Sequence, residues 1–209
     1  MNRRSLVSLI IYLNVAVFLS WHWTGHHITE DSFMYQNFLV SWNGLMEWRG
    51  WTLLTSVFSH ISLLHIFFNM YVLSNFGPVL ERILGHKRFL QFYLMAGAVS
   101  SATHCLVSAF LLGKPELPAL GASGAISGLI LVFSLMFPRQ LLLLFGLIPV
   151  RAFFGALLFV GLDLWGLISQ AEGGGLPIGH GAHLGGALTG TVYFFWVIRP
   201  RLGPEFHYW

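Results

Sequence analysis

Long apolar runs separated by short polar segments make up most of the chain. A helix that crosses a membrane needs about 20 mostly apolar residues. Six runs meet or approach this length, so the pattern predicts six spanning helices, at about residues 5–22, 63–84, 89–112, 121–137, 150–169 and 180–198. The first run follows Arg3 and Arg4 as a signal peptide would, but no convincing small-x-small cleavage site precedes Trp21. We therefore expect it to be retained.

The segments between the helices predict one all-α membrane domain over residues 1–209. A long outer loop, Trp23–Ser59, joins the first two helices and contains three tryptophans that favour the membrane interface: Trp42, Trp48 and Trp51. The apolar segment Leu141–Ile148 is too short to span, so we interpret it as a half-buried connection before the fifth helix.

Composition supports lipid as the solvent. The chain is 56% hydrophobic and 9% charged, whereas a soluble domain carries about 25% charged residues. The net charge of +3 is therefore attributed to basic residues that orient the chain in the membrane. We expect no nucleic-acid partner. The single cysteine, Cys105, excludes an intramolecular disulfide, and the oligomeric state stays open.

Basic residues give the orientation, because they accumulate on the cytoplasmic side. With the N-terminus inside, six crossings leave only Arg49 and Lys114 outside, out of 11 basic residues. Both termini are then cytoplasmic. With no targeting presequence recognised, we expect a bacterial cytoplasmic membrane.

Polar groups inside a membrane are expensive and indicate function. Three clusters lie toward the outer ends of the second, fourth and sixth helices, so they can meet at one depth. They are His60-x4-His65-x3-Asn69, Gly121-Ala122-Ser123-Gly124, and the run from His180 through His183 to Gly186.

The fourth helix is too short to span easily. Its 17 residues, 121–137, measure about 25 Å against a hydrocarbon thickness of about 30 Å. An N-terminus below the surface would direct free N–H groups and a positive dipole end at a wet pocket, with Ser123 beside them. Small-xxx-small pairs allow this helix to approach the sixth closely: Gly124-x3-Gly128 and Gly186-x3-Gly190.

A nucleophile and a base can be assigned from these residues. A serine hydroxyl needs a base, so His183 is the candidate base for Ser123. His65 and Asn69 share one helix face and can stabilise an oxyanion together. Asp163 is the only aspartate within a predicted span, and nothing in the sequence places it beside His183. The sequence therefore predicts a Ser–His dyad without metal or cofactor.

Three other classes of protein compete with this interpretation. A membrane metalloprotease would carry His-Glu-x-x-His, which is absent. A catalytically weak or inactive relative that binds membrane clients typically lacks the serine or the histidine, and both are present. A transporter would show corresponding broken helices in two halves, and no repeat is visible.

Taken together, the motifs resemble those of the rhomboid intramembrane serine proteases. Four family patterns match in order and spacing: His60-x4-His65-x3-Asn69, Gly77-x3-Glu81-x3-Gly85, Gly121-x-Ser123-Gly124, and Ala182-His183-x2-Gly186-x3-Gly190.

The resemblance implies a six-helix core that cleaves single-pass transmembrane substrates near their extracytoplasmic ends. It implies Ser123 as nucleophile, His183 as base, His65 and Asn69 at the oxyanion, and a structural role for His60. Some members place an aromatic residue beneath the catalytic histidine, four positions after the nucleophile. Ser127 occupies that position here.

Overall fold

The computed structural model describes residues 5–23, 29–144 and 147–202. Arg3 and Arg4, which the charge argument uses, lie outside these ranges. The α-helices in chain order are α1 (Leu6–Trp23), α2 (Phe33–Phe38), α3 (Trp42–Met46), α4 (Thr52–Thr55), α5 (Leu63–Leu84), α6 (His86–Leu106), α7 (Ser123–Met136), α8 (Ala152–Ala171) and α9 (His180–Tyr193).

Shorter elements complete the chain. Two π-helical turns, Val107–Leu111 and Phe194–Ile198, continue α6 and α9, and 3-10 turns occupy Ser56–Phe58 and Arg199–Arg201. Two strands, β1 (Leu141–Leu144) and β2 (Ile148–Arg151), pair antiparallel.

The six long helices form the predicted helical membrane fold. Among the described residues, four segments have the length and hydropathy of membrane spans: Leu6–Trp23, Leu63–Leu84, His86–Leu111 and Ala152–Ala171. Helix α7 is shorter and sits in the middle of the bundle, in contact with α5, α6, α8 and α9. Because α1 ends and α5 begins on the same side, residues 29–62 lie at one face of the bundle, which we call the loop face.

Two predicted helix starts shift because of glycines with positive φ. Helix α7 begins at Ser123 rather than residue 121, since Gly121 has φ +121° and cannot continue a helix. Its 14 residues measure about 21 Å, so the helix is even shorter than the sequence predicts. Helix α6 begins at His86 rather than residue 89, directly after Gly85 (φ +76°) ends α5.

The predicted half-buried connection over Leu141–Ile148 precedes α8 as expected, but it is half-buried only in part. Its described ends belong to β1 and β2, in register from Leu141 opposite Arg151, so α8 begins at Ala152 instead of residue 150. Strand pairing satisfies backbone groups that an irregular connection at the membrane surface would leave unpaired. Leu142 is half-buried and packs against the core of the bundle, whereas Leu141 and Leu143 are exposed.

Glycines bring α7 and α9 into backbone contact. A Cβ added to Gly186 would overlap the carbonyl oxygen of Gly124, and one added to Gly190 would overlap that of Gly128. No side chain fits at these positions. The two helices therefore approach more closely than any other residue type would allow. The contacts run from Gly124, directly after Ser123, to Gly128, about one turn further along α7.

Glu81 joins the first two long helices on the face opposite the loop face. Its carboxylate accepts hydrogen bonds from the backbone N–H of Leu6 (2.7 Å), the hydroxyl of Ser5 (2.5 Å) and Nδ1 of His86 (2.5 Å). It thus caps the N-terminus of α1, where an anion is favourable. Exposed Arg82, its neighbour in sequence, takes no part in these bonds.

Candidate active site

A short anchored segment presents Ser123 at the first residue of α7. Val40 and Ala119 form an antiparallel bridge, with N–O distances of 3.0 and 2.8 Å, that attaches the segment to the loop face. The N–H of Gly121 donates to the carbonyl of Ser56 over 2.9 Å. With Gly121 in a positive-φ conformation, the chain turns sharply into α7, and Ser123 is held at a helix N-terminus.

The hydroxyl of Ser123 lies against the imidazole of His183. Their Oγ and Nε2 atoms are 2.9 Å apart, and both side chains are partly buried. Ser123 is fixed by α7 and His183 by the first turn of α9. The glycine contacts below them set the spacing of those two helices. A serine and an imidazole at this distance can exchange a proton directly.

A carboxylate stands behind the histidine, which corrects the expectation that nothing places Asp163 beside His183. Oδ1 of Asp163, on α8, is 3.0 Å from Nδ1 of His183. An ionised carboxylate only accepts hydrogen bonds, so Nδ1 carries the proton and Nε2 faces Ser123 with its lone pair. Asp163 is buried. Serine, histidine and aspartate therefore form one connected line of hydrogen bonds.

The sequence did contain a signal for Asp163. A carboxylate in the middle of an apolar span is costly unless it is paired. The one basic residue of that predicted span, Arg151, lies about three turns before Asp163, so a partner for the carboxylate had to come from another helix. Which histidine it meets depends on the rotation of α8 against α9, and the spacing of residues along the chain does not give that angle.

An aromatic ring supports His183, but it comes from α8 rather than α7. The ring of Phe159 stacks on the imidazole with centroids 5.7 Å apart and planes inclined by 30°. Ser127, in the position where some family members have the aromatic residue, donates instead to the carbonyl of Ser123 over 2.7 Å. Phe159 and Asp163 are four residues apart, so one face of α8 holds His183 by both ring and charge.

His65 and Asn69 lie one turn apart on α5 and face the same cavity as Ser123. The His65 ring rests against Gly121, where an added Cβ would be 2.6 Å from Cε1 of His65. One amide proton of Asn69 is used by the carbonyl of His65 (2.8 Å), which leaves the other available. The assignment of both as oxyanion donors stays a prediction.

His60 is fully buried beneath the segment that leads to Ser123. Its Nε2 accepts the N–H of Ala122 over 3.4 Å, and its ring packs edge-on against that of His65 at 4.8 Å. Burial lowers the pKa of His60 to about 3, with a smaller contribution from the charge of His65. The ring is therefore neutral at physiological pH and fills a structural position.

A cavity of about 710 Å³ opens beside Ser123 and His183. Apolar side chains make up much of its wall. Its lining includes Phe68, Val72, Ile126, Ile130 and Phe159 together with His65, Asn69 and His104. A space of this size is large enough for an extended stretch of peptide.

One group of side chains has the composition of a metal site. The ligand atoms of Asp163, His180 and His183 lie within 4.8 Å of one another. Nδ1 of each histidine already shares a hydrogen bond with Oδ1 of Asp163. These two hydrogen bonds account for the short distances among the three side chains.

Relatives of the chain extend across plants, fungi and animals. It is 32% identical over 205 residues to "RHOMBOID-like protein 12, mitochondrial" of Arabidopsis thaliana, covering 92% of this chain and 58% of that protein. It is 29% identical to "Rhomboid protein 1, mitochondrial" of Saccharomyces cerevisiae, covering 94% and 54%. The human "Presenilin-associated rhomboid-like protein, mitochondrial" is 36% identical over 147 residues, covering 68% and 36%. The chain thus spans little more than half the length of these relatives, or less.

These relatives correct the expected location. All three are mitochondrial by name. The assignment to a bacterial cytoplasmic membrane, with both termini cytoplasmic, is therefore wrong. It rested on the absence of a recognised presequence, which is weak evidence because the matched proteins are much longer than this chain. The charge asymmetry itself does not identify the compartment.

The family assignment follows from the extent of the match. The profile of the Rhomboid domain matches residues 47–200, which include α5 to α9 and every residue of the candidate site. The plant and yeast relatives cover still more of the chain, at 32% and 29% identity. The helices lie in the order that the resemblance implied, with the serine on the short central one. This chain belongs to the rhomboid family.

Proposed function

We propose that this protein is an intramembrane serine endopeptidase that cleaves single-pass membrane proteins near the loop face. The observation that carries the proposal is the hydrogen-bonded line from Ser123 Oγ to His183 Nε2 (2.9 Å) and from His183 Nδ1 to Asp163 Oδ1 (3.0 Å). A serine needs such a base to become nucleophilic, and the base needs a fixed tautomer.

Acylation follows from these positions. Ser123 Oγ attacks the carbonyl carbon of the scissile bond while Nε2 of His183 takes the hydroxyl proton. Asp163 holds the imidazole in orientation and stabilises its positive charge. The tetrahedral intermediate then collapses, the carbon–nitrogen bond breaks, and His183 returns the proton to the leaving amine. The product is an ester between Ser123 and the N-terminal part of the substrate.

Deacylation reverses the proton transfers. Water enters the cavity, gives a proton to His183 and attacks the ester carbon, and the Ser123 oxygen recovers the proton as it leaves. In both steps a negative oxygen develops beside the N-terminus of α7. The backbone N–H of Ser123, the free amide proton of Asn69 and a ring N–H of His65 are the groups proposed to stabilise it.

The location of the site supports the proposed substrate class. The cavity is bounded by helices whose outer surfaces are apolar, and Val40 and Ser56 of the loop face line it as well. A peptide that reaches Ser123 therefore comes from a segment close to the bilayer. The names of the relatives support a mitochondrial membrane as the location.

The proposal is tested in liposomes that contain the purified protein and a reporter with a single transmembrane helix. We expect cleavage by the wild type and none by Ser123→Ala. A fluorophosphonate should label Ser123 of the wild type, because only an activated serine reacts. Ser134→Ala is the matched control. It makes the same change on the same helix, at a buried hydroxyl about three turns away.

The outcomes separate the protease from its rival. Cleavage by Ser123→Ala, or a wild type that binds the reporter without cutting it or reacting with the probe, would overturn the proposal. The second result would instead indicate a catalytically inactive relative that binds membrane clients.

A further inference from the structure

A second histidine shares the carboxylate of Asp163. Nδ1 of His180 lies 2.7 Å from Oδ1 of Asp163, which is shorter than the 3.0 Å from Nδ1 of His183 to the same oxygen. The side chains of His180 and Asp163 are 9% and 6% exposed. The shorter of the two bonds thus belongs to a residue that has no part in the proton transfers described above.

Helix α8 is shaped to receive His180. A Cβ added to Gly166 would overlap Nε2 and Cε1 of the His180 ring. Gly166 is three residues after Asp163, so both lie on the face of α8 that meets α9. The ring therefore sits in a notch that only glycine leaves open, and its orientation is fixed by shape as well as by the hydrogen bond.

The Asp163 carboxylate needs such a restraint. The terminal torsion of an aspartate has a broad energy minimum, so one hydrogen bond fixes it poorly. Oδ2 of Asp163 is buried and has no hydrogen-bond partner among the described residues. With His183 alone as donor, rotation could exchange the two oxygens and move the acceptor away from the imidazole. A second donor on Oδ1 opposes that rotation.

We propose that His180 is a positioning residue that holds Asp163 Oδ1 against His183. His180 acts through Asp163 and has no proton-transfer role of its own. It begins α9, three residues before His183. The same helical turn therefore supplies both the proposed base and the residue that restrains Asp163. This inference rests on the proposed function for its kinetic consequences, but the geometry can be tested without catalysis.

The first test compares His180→Leu with His180→Asn. The amide nitrogen of asparagine occupies nearly the position of Nδ1 and keeps an N–H donor, whereas leucine is apolar. We expect kcat for reporter cleavage to fall about tenfold or more in His180→Leu with KM nearly unchanged, and His180→Asn to recover most of the loss. Fluorophosphonate labelling of Ser123 should slow in proportion. His22→Leu, at an exposed position of α1, is the control for the substitution.

The second test needs no activity. In the Ser123→Ala background, nuclear magnetic resonance of histidine-labelled protein should show the Nδ1 proton of His183 as a downfield signal. Adding His180→Leu should shift or broaden it, and adding His180→Asn should restore it. Melting temperatures measured alongside show whether each variant is folded.

The outcomes distinguish this inference from the proposed function. A folded His180→Leu variant with wild-type kcat, or with an unchanged His183 signal, overturns the positioning role. Equal loss of kcat in His180→Leu and His180→Asn overturns it as well, because the donor would then not matter. A wild type that neither cleaves nor labels overturns the protease proposal, while the His183 signal still reports on His180.

Discussion

The ring of Phe159 stacks on the imidazole of His183, with centroids 5.7 Å apart and planes inclined by 30°. The two residues come from different helices, α8 and α9. Since α8 also carries Asp163, one helix both orients the imidazole and covers its face. The proposed base is thus held by helices other than α7, the helix that carries the proposed nucleophile.

Loss of this stacking should reduce activity moderately. Phe159→Ala is expected to lower kcat/KM about 2- to 13-fold, the rate equivalent of the about 0.5–1.5 kcal/mol that an aromatic pair contributes. Phe159→Tyr should stay near wild type because the ring remains. Reporter cleavage in liposomes measures both. Phe154→Ala, at an exposed position of the same helix, is the control and should leave the rate unchanged.

Removing the charge of Asp163 should cost far more than removing the ring. In Asp163→Asn the amide can donate to Nδ1, which would favour the tautomer with a proton on Nε2, and His183 could then no longer accept from Ser123. We expect kcat to fall about 10²- to 10⁴-fold, by analogy with other Ser–His–Asp sites. Single-turnover cleavage is the measurement, with Asp31→Asn in the outer loop as control. A folded Asp163→Asn enzyme with near wild-type kcat would restore the dyad predicted from sequence.

Much of the fold and of the site could be predicted because the signals are local. Helix length and hydropathy are properties of single segments, and Gly121, Ser123 and Gly124 lie within one turn of chain. The pairing of Ser123 with His183 rests on glycine spacings that are visible on each helix separately.

What the sequence left open depends on geometry between helices. Asp163 and Phe159 meet His183 only because α8 is rotated so that this face turns inward. Gly166 marks that face, but its meaning depends on His180, which lies beyond a connecting loop. Likewise Glu81 precedes Arg82 in sequence, yet it bonds Leu6 and His86 because α1 packs beside α5.

Because Glu81 caps α1, substitutions at Glu81 and at its neighbour Arg82 should have different effects on the stability of the protein. Glu81→Gln should lower the free energy of unfolding by about 1–2 kcal/mol, because it removes the anion at the N-terminus of α1 and weakens the bond from His86. Arg82→Gln, at an exposed position, should change it little. Unfolding in mixed micelles at increasing sodium dodecyl sulfate measures both. Equal effects of the two substitutions would contradict the role of Glu81 as the cap of α1.

Because α7 and α9 are in backbone contact, one methyl group added at the contact should destabilise the protein. In Gly186→Ala the new Cβ would meet the Gly124 backbone, which no rotamer change can relieve. We expect the free energy of unfolding to fall by about 1–3 kcal/mol or more, together with a loss of Ser123 labelling as the helices separate. Gly161→Ala on α8 is the matched control, since a Cβ added there would have no neighbouring atom within 4 Å. A labelled and stable Gly186→Ala protein would contradict the backbone contact.

Burial of His60 predicts how stability depends on pH. Its pKa is lowered by burial from 6.5 to about 3, so between these values the unfolded chain binds a proton that the folded protein does not. Stability contributed by the neutral ring is therefore complete above about pH 6.5 and is lost as the pH falls toward 3, with a slope of at most about 1.4 kcal/mol per pH unit. In His60→Gln the side-chain oxygen can still accept the N–H of Ala122 but does not titrate. The melting temperature of this variant should decline less steeply from pH 7 to pH 4 than that of the wild type. Parallel curves for the two proteins would show that His60 is not held neutral by the fold.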